Sequence, residues 1–420
     1  MRGCALLLFL LSTEPQKFGI RCVPCGQRVT NLRVEVLGLQ DDLENRRDAA
    51  AAKLESIRAL PFKTPLKVRE GTRREYAAFV LENARRVYGT DLAAAEKGLK
   101  AIGLIPPRLR LELALTAQSG FAPKAFCWNG ELLLLDPKAT EDWFVNKMDL
   151  GLVDQHYSPK APPTYDAQMA LAALRMGDAE VAKHLLWHSG KLPEDHAKKL
   201  AEETAAWERG DSKLASAVVP RLFVRSADFT WRRGGVFAHA LHALGGPAAL
   251  DKAWASPPAT TEHVLHPEKY LAGEKAATID PSAAGEFLKG RGYAEVYRTT
   301  LGELGAALVL ETHYSREDLS AATEGWAGDV FAVYEKAGEP PLVLWATEWD
   351  TGRDALEFHA EALRVAAKLA LPESTLLNPV VLKGSSVAVA VNVPPDLREA
   401  FLAAVWTCAR TRERTDRYGD

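Results

Sequence analysis

The run Asn146-Lys147-Met148-Asp149-Leu150-Gly151-Leu152-Val153-Asp154-Gln155-His156-Tyr157 continues a helical pattern that begins near Glu141. Trp143, Val145, Leu150, Leu152 and Val153 supply apolar positions at helical spacing, so residues 141–153 can be a core-packed amphipathic helix and nothing more. On such a helix, residues four apart leave the same face, so Asn146 and Leu150 project together with Lys147 beside them. Just upstream, Phe126-Cys127-Trp128 and Glu131-Leu132-Leu133-Leu134-Leu135 flank Asn129-Gly130, a strong signal for a β-hairpin. Helical spacing also predicts helices over 70–88, 91–102, 107–117 and 164–189, punctuated by Gly89, Gly103 and Gly120.

A zinc-peptidase helix carries His at i and i+4, with Glu at i+1 to take a proton from the bound water. Here those slots hold Asn146, Leu150 and Lys147. The tail Asp154-Gln155-His156-Tyr157 resembles the run that follows this motif in a family of bacterial, uncharacterised zinc-metallopeptidase-like proteins of gluzincin type. That family has a second helix with Glu-Gly-Asp-Ala; the chain has Met176-Gly177-Asp178-Ala179. Further resemblances are Gly245-Gly246, Pro257-Pro258 through Tyr270, Leu301-Gly302-Glu303, Gly325-Trp326-Ala327-Gly328-Asp329, Trp349-Asp350 and Asp354-Ala355. In order and spacing they cover residues 60–400.

The resemblance implies a mainly α fold, a gluzincin-like helical core with a short β-hairpin beside the degenerate metal helix, and a C-terminal α+β part. It also implies a lost site. A neutral amide is a poor zinc ligand, an alkyl chain is none, and a thioether suits softer metals. Lys147 brings a positive charge to the place of the carboxylate base. Without both His, the base and the acidic ligand, water activation fails, so no zinc and no catalysis are expected at Asn146, Lys147, Leu150 and Met176. Leu150 and Met176 are expected to pack together in the vacated volume. Asp154, His156, Asp178 and His266 are candidates to line a surviving cleft. The hairpin is where an extended peptide could lie, since in zinc peptidases a strand edge beside the metal helix pairs with substrate.

The expected function is therefore a pseudoenzyme that binds a peptide or protein ligand. One alternative is a metallopeptidase with relocated ligands drawn from His184, His188, His156 or Asp178. Another is a structural envelope protein that oligomerises through its N-terminal helix. His184 and His188 are four apart and His239 and His242 three apart, but neither pair has Glu at i+1, and the simpler reading is structural or exposed histidine.

Composition narrows the classes. The 420 residues are 47% apolar, enough for a large core, and 52 basic against 55 acidic residues offer no electrostatic case for nucleic acid. No apolar run is long enough for a transmembrane helix. Arg2 followed by Ala5-Leu6-Leu7-Leu8-Phe9-Leu10-Leu11 has signal-peptide size, so residues 1–20 are expected to be a leader and the protein exported, periplasmic or extracellular. Cys22-Val23-Pro24-Cys25 can be a redox dithiol, half a metal site or a disulfide; the disulfide, within the motif or between two chains, suits an oxidising compartment. Cys127 and Cys408 read as small buried hydrophobes. Val29, Leu32, Val36, Leu39 and Leu43 form a short coiled-coil seam in an amphipathic helix, so residues 21–60 with a homo-oligomer through 29–58 are set apart from a helical domain over 61–290. From residue 291 the pattern becomes α+β to residue 420, with strand-like runs over 330–334, 341–347 and 380–393 and helices over 352–369 and 396–410. There is no nucleophile elbow, phosphate loop or dinucleotide fingerprint.

Overall fold

The computed structural model describes residues 28–117, 122–136, 138–210, 220–313, 322–370 and 374–412. The chain divides into two units, residues 1–45 and 46–420. In the first, the described backbone is helical from Arg28, the start of α1 (Arg28–Arg58). The expected leader, the Cys22 and Cys25 pair and the side chains of Val29, Leu32, Val36 and Leu39 lie outside the described residues. No described helix is long and apolar enough to cross a membrane.

The second unit is mainly helical with an α+β part at its C-terminal end. Its first strands, β1 (Lys67–Glu70), β2 (Ala125–Trp128) and β3 (Glu131–Leu134), form a sheet in the order β1-β3-β2. The hairpin turns at Asn129 (φ 51) and Gly130 (φ 74), the two left-handed positions that a two-residue turn requires. β1, parallel to β3, had no sequence signal beyond a short alternation.

Helices α2 (Arg73–Tyr88), α3 (Leu92–Ala101), α4 (Leu111–Ala117), α5 (Glu141–His156) and α6 (Tyr165–Trp187) follow the predicted segments. Thr72 and Glu75 close a capping box that starts α2 later than residue 70. A π-helical turn (Phe229–Arg233) and α9 (Gly234–Ala255) pack on α6, while α7 (His196–Gly210) packs on α9 and α8 (Arg221–Asp228) on the turn. At the α6–α9 crossing a Cβ on Gly177 would stand 2.0 Å from the Gly234 carbonyl oxygen, so only glycine admits this approach. α9 breaks at Gly245-Gly246, before Pro247. The short helices α10 (Thr261–Leu265) and α11 (Pro267–Ala272) then lead to the sheet.

The large sheet is antiparallel, in the order β5-β6-β7-β9-β8, from β5 (Ala294–Thr299), β6 (Trp326–Glu335), β7 (Leu342–Trp349), β8 (Val380–Lys383) and β9 (Ser386–Val391). β6 and β7 are buried on both faces, and strand alternation divides their side chains between two cores. Phe331, Val333, Val343 and Trp345 join the core shared with α3, α13 (Gly302–His313) and α14 (Gly352–Leu369). Val330, Ala332, Tyr334 and Leu344 join a second core with α12 (Ser282–Lys289) and α15 (Arg398–Trp406). The run 380–393 is a hairpin rather than one strand, because Gly384 (φ 63) turns it. The helix expected over 396–410 stops at Trp406; β10 (Ala409–Thr411) pairs instead with β4 (Thr278–Asp280).

Candidate functional site

The helix pair α5–α6 brings Asn146 to Glu180. The buried Asn146 amide donates to the Glu180 carboxylate at 3.0 Å, and Glu180 is also paired with Lys183. Lys147 is 6% exposed, its ammonium 5.5 Å from the Trp143 ring and 5.7 Å from the Trp231 ring. Those aromatic faces offer the cation partial compensation for lost water. Leu150 and Met176, expected to pack together, are both half-buried.

Burial pushes the Lys147 amine from 10.5 down to about 8. Between these values the unfolded chain holds a proton that the folded chain lacks, so Lys147 makes stability rise with pH from about 8 to 10.5. Below about 8 the full cost of burying the charge is present. Lys147→Met is expected to stabilise the protein at neutral pH by up to about 3 kcal/mol and to flatten that rise. Urea unfolding across pH 7 to 10.5 measures it; an unchanged slope would show that Lys147 does not titrate there.

Asp178, expected beside a cleft, instead belongs to a buried ionic knot. The Arg58 guanidinium, 1% exposed, lies 3.1 Å from Asp178 and 3.3 Å from each of Asp149 and Asp251. Trp254 Nε1 donates to Asp178 at 2.6 Å. Burial, with the charge of Asp178 next, holds the Asp149 carboxyl well above its ordinary range; burial likewise raises Asp178. Asp149 and Arg58 are within ion-pair distance but not aligned as a hydrogen bond. Neither Arg58 nor Asp149 stood out in the sequence.

The other cleft candidates are dispersed. Asp154 pairs with Arg175, Nη2 to Oδ2 2.8 Å, and His156 Nε2 meets the Pro61 carbonyl at 2.8 Å. His266 Nε2 meets Glu303 Oε1 at 3.0 Å, and that carboxylate raises the imidazole pKa. These two residues line a cavity of about 260 Å³, with the pairs Arg225–Glu311 and Arg233–Glu208 on its wall.

Thr261, Leu301-Gly302 and Asp329, from three of the downstream motifs, meet at one hub with Asp166. Asp166 accepts from the Thr261 backbone at 2.8 Å, and a Cβ on Gly302 (φ 75) would strike the same carboxylate at 1.8 Å. Asp329 accepts from the Leu301 and Gly302 amides at 2.9 and 3.2 Å and from Trp345. Burial raises Asp166 to about 7 and Asp329 to about 6. Glu262, Glu274 and Asp350 also converge, but Lys269 already stands among them, 2.8 Å from Asp350 and 3.4 Å from Glu274. This hub positions the start of α13.

The relocated ligand set is not assembled as drawn, since Asp178 and His156 are engaged elsewhere. His184 meets different partners: His239 of α9 and His196, the first residue of α7. One ring nitrogen from each of the three lies within 4.8 Å of the others. Both helical pairs are thereby split, because His188 caps α6 at the surface and His239 turns from His242 toward α6. His196 carried no spacing signal.

A family model described as a domain of unknown function (DUF8575) matches residues 291–401, the large sheet with α13, α14 and the first part of α15. No curated protein and no solved structure matches the chain.

Proposed function

We propose that the chain is a metallopeptidase-like protein without zinc hydrolysis at the α5–α6 pair, and that it serves to bind an extended peptide or protein segment. The observation that carries this reading is the buried Lys147 ammonium at the position of the catalytic carboxylate. Beside it, the Asn146 amide is committed to Glu180. The Lys147 cation opposes a dication where a zinc peptidase would place a carboxylate, and the neutral Asn146 amide offers a poor ligand in place of imidazole. Binding is supported by β2, an edge strand of its sheet beside α5, where a Cβ on Gly151 would lie 3.2 Å from Cys127 Sγ. An edge strand offers backbone donors and acceptors to a peptide in extended form.

Two measurements test the proposal. Labelled casein incubated with the purified protein, with and without added zinc, should not be cleaved above background. A displayed library of random peptides should yield binders that compete with one another for one site. Chelator-sensitive cleavage that persists in His239→Ala, or a library that yields no binder, would overturn it.

A further inference from the structure

The histidine cluster presents a hydrogen-bonding conflict. His239 Nδ1 lies 2.7 Å from the Gly235 carbonyl and therefore carries the proton, which leaves Nε2 as a lone pair in the neutral ring. That lone pair faces His184 Nδ1 at 3.0 Å, and the same His184 nitrogen faces His196 Nε2 at 3.2 Å. If His184 Nδ1 carries hydrogen, one proton is shared between two acceptors. If it does not, it can accept from His196 but confronts the His239 lone pair. Unless two N–H groups are set against each other, which is itself a repulsion, at least two imidazole lone pairs converge and a single proton serves both short contacts.

We propose that His184, His196 and His239 form a binding site for a late first-row divalent cation, zinc foremost, at the seam of α6, α7 and α9. Bonds of about 2.0–2.1 Å in a tetrahedral zinc site place ligand nitrogens roughly 3.3 Å apart. The spacings of 3.0 and 3.2 Å from His184 need only small adjustments to reach this, and the His196 and His239 ligand nitrogens lie within 4.8 Å of each other. Imidazole nitrogen is a borderline donor that selects zinc, cobalt, nickel or copper over magnesium and calcium. The Gly235 carbonyl performs the outer role usual in such sites, holding the His239 ring and fixing which nitrogen binds. Burial keeps the rings neutral, His239 near 3 and His184 near 4, so their lone pairs are available at ordinary pH.

The cluster also has an entry path. His239 is buried, His184 and His196 are half-buried, and the exposed His188 ring stands 5.4 Å from that of His196. Three protein nitrogens leave a fourth position for water or an exogenous ligand on that side. Lys183 does not compete for the place, since its ammonium is paired with Glu180 and stacked on Trp187. Asn146, Lys147, Leu150 and Met176 are not among its ligands, so its existence is independent of the peptide-binding proposal.

The test uses untagged full-length protein purified without chelator. Elemental analysis should find about one zinc per chain, and cobalt(II) added after chelator treatment should give the visible d–d absorption of a tetrahedral nitrogen site. His239→Ala and His196→Gln should each weaken cobalt binding about 100-fold or more, since loss of even an outer partner costs about 10–100-fold. His242→Gln should bind as the parent does. His196 begins α7 and is only half-buried, so His196→Gln keeps the test valid if His239→Ala fails to fold. Protein that holds no zinc and gives no d–d bands, or full uptake by a folded His196→Gln variant, would overturn the proposal. A metal-loaded protein that leaves casein intact would support this centre and leave the peptide-binding reading standing.

Discussion

Arg58→Met is expected to destabilise the second unit by about 3–5 kcal/mol, the usual cost of removing one partner from a buried charge network. The guanidinium is the cation nearest to Asp149 and Asp178, both 0% exposed, and Asp149 makes no hydrogen bond that would substitute. Without Arg58, the two carboxylates must take up protons or draw in water. The destabilisation should therefore be smaller at acidic pH, where protonation removes the uncompensated charge. Combining Arg58→Met with Asp149→Asn and Asp178→Asn should recover much of the loss, because it removes charge from all three positions. Urea unfolding followed by circular dichroism measures both effects. A loss below about 1 kcal/mol would mean that water already solvates the knot.

The second large effect is expected at the α6–α9 crossing. Gly177→Ala would bring its new methyl within 2.0 Å of the Gly234 carbonyl oxygen and 2.9 Å of Ala238 Cβ, and the nearest obstacle is backbone. The helices must separate, so the cost should lie at or above the upper end of the ordinary overpacking range, about 3 kcal/mol. Gly234→Ala meets the Ala173 carbonyl oxygen at 2.3 Å and should cost a similar amount. The two should not add, since a separation caused by one relieves the other. Gly235→Ala is the internal control, with its nearest contact at 3.9 Å. It should be neutral or stabilise by up to about 1 kcal/mol through helix propensity. If Gly177→Ala unfolds at the parent's urea midpoint, the crossing is looser than its geometry indicates.

These positions mark the reach of local pattern. Helix α5, the β2–β3 hairpin and the C-terminal change to α+β were legible because each depends on spacing within a few residues. The strand character of 380–393 is legible, but its division into two strands is not, because Gly384 interrupts an apolar sequence without changing its composition. Helical spacing over 396–410 overshoots the end of α15 because β10 exists only through its partner β4, far upstream. Among the site residues, the chemistry of Asn146, Lys147, Leu150 and Met176, none of them an ordinary zinc ligand, is legible directly. Glu180 as the partner of Asn146, and Trp231 over Lys147, were not.

Sequence spacing placed Asn146 and Leu150 on one helix face with Lys147 beside them, and their side-chain types are poor zinc ligands, because both properties are local. Only the packed chain decided what occupies that neighbourhood. Arg58 reaches Asp178 across 120 residues, and His184 finds His239 across 55, pairings that no periodicity encodes. Desolvation gives such pairs their weight: a carboxylate or imidazole acquires its proton affinity and its need for a partner from the surface that tertiary packing removes from water.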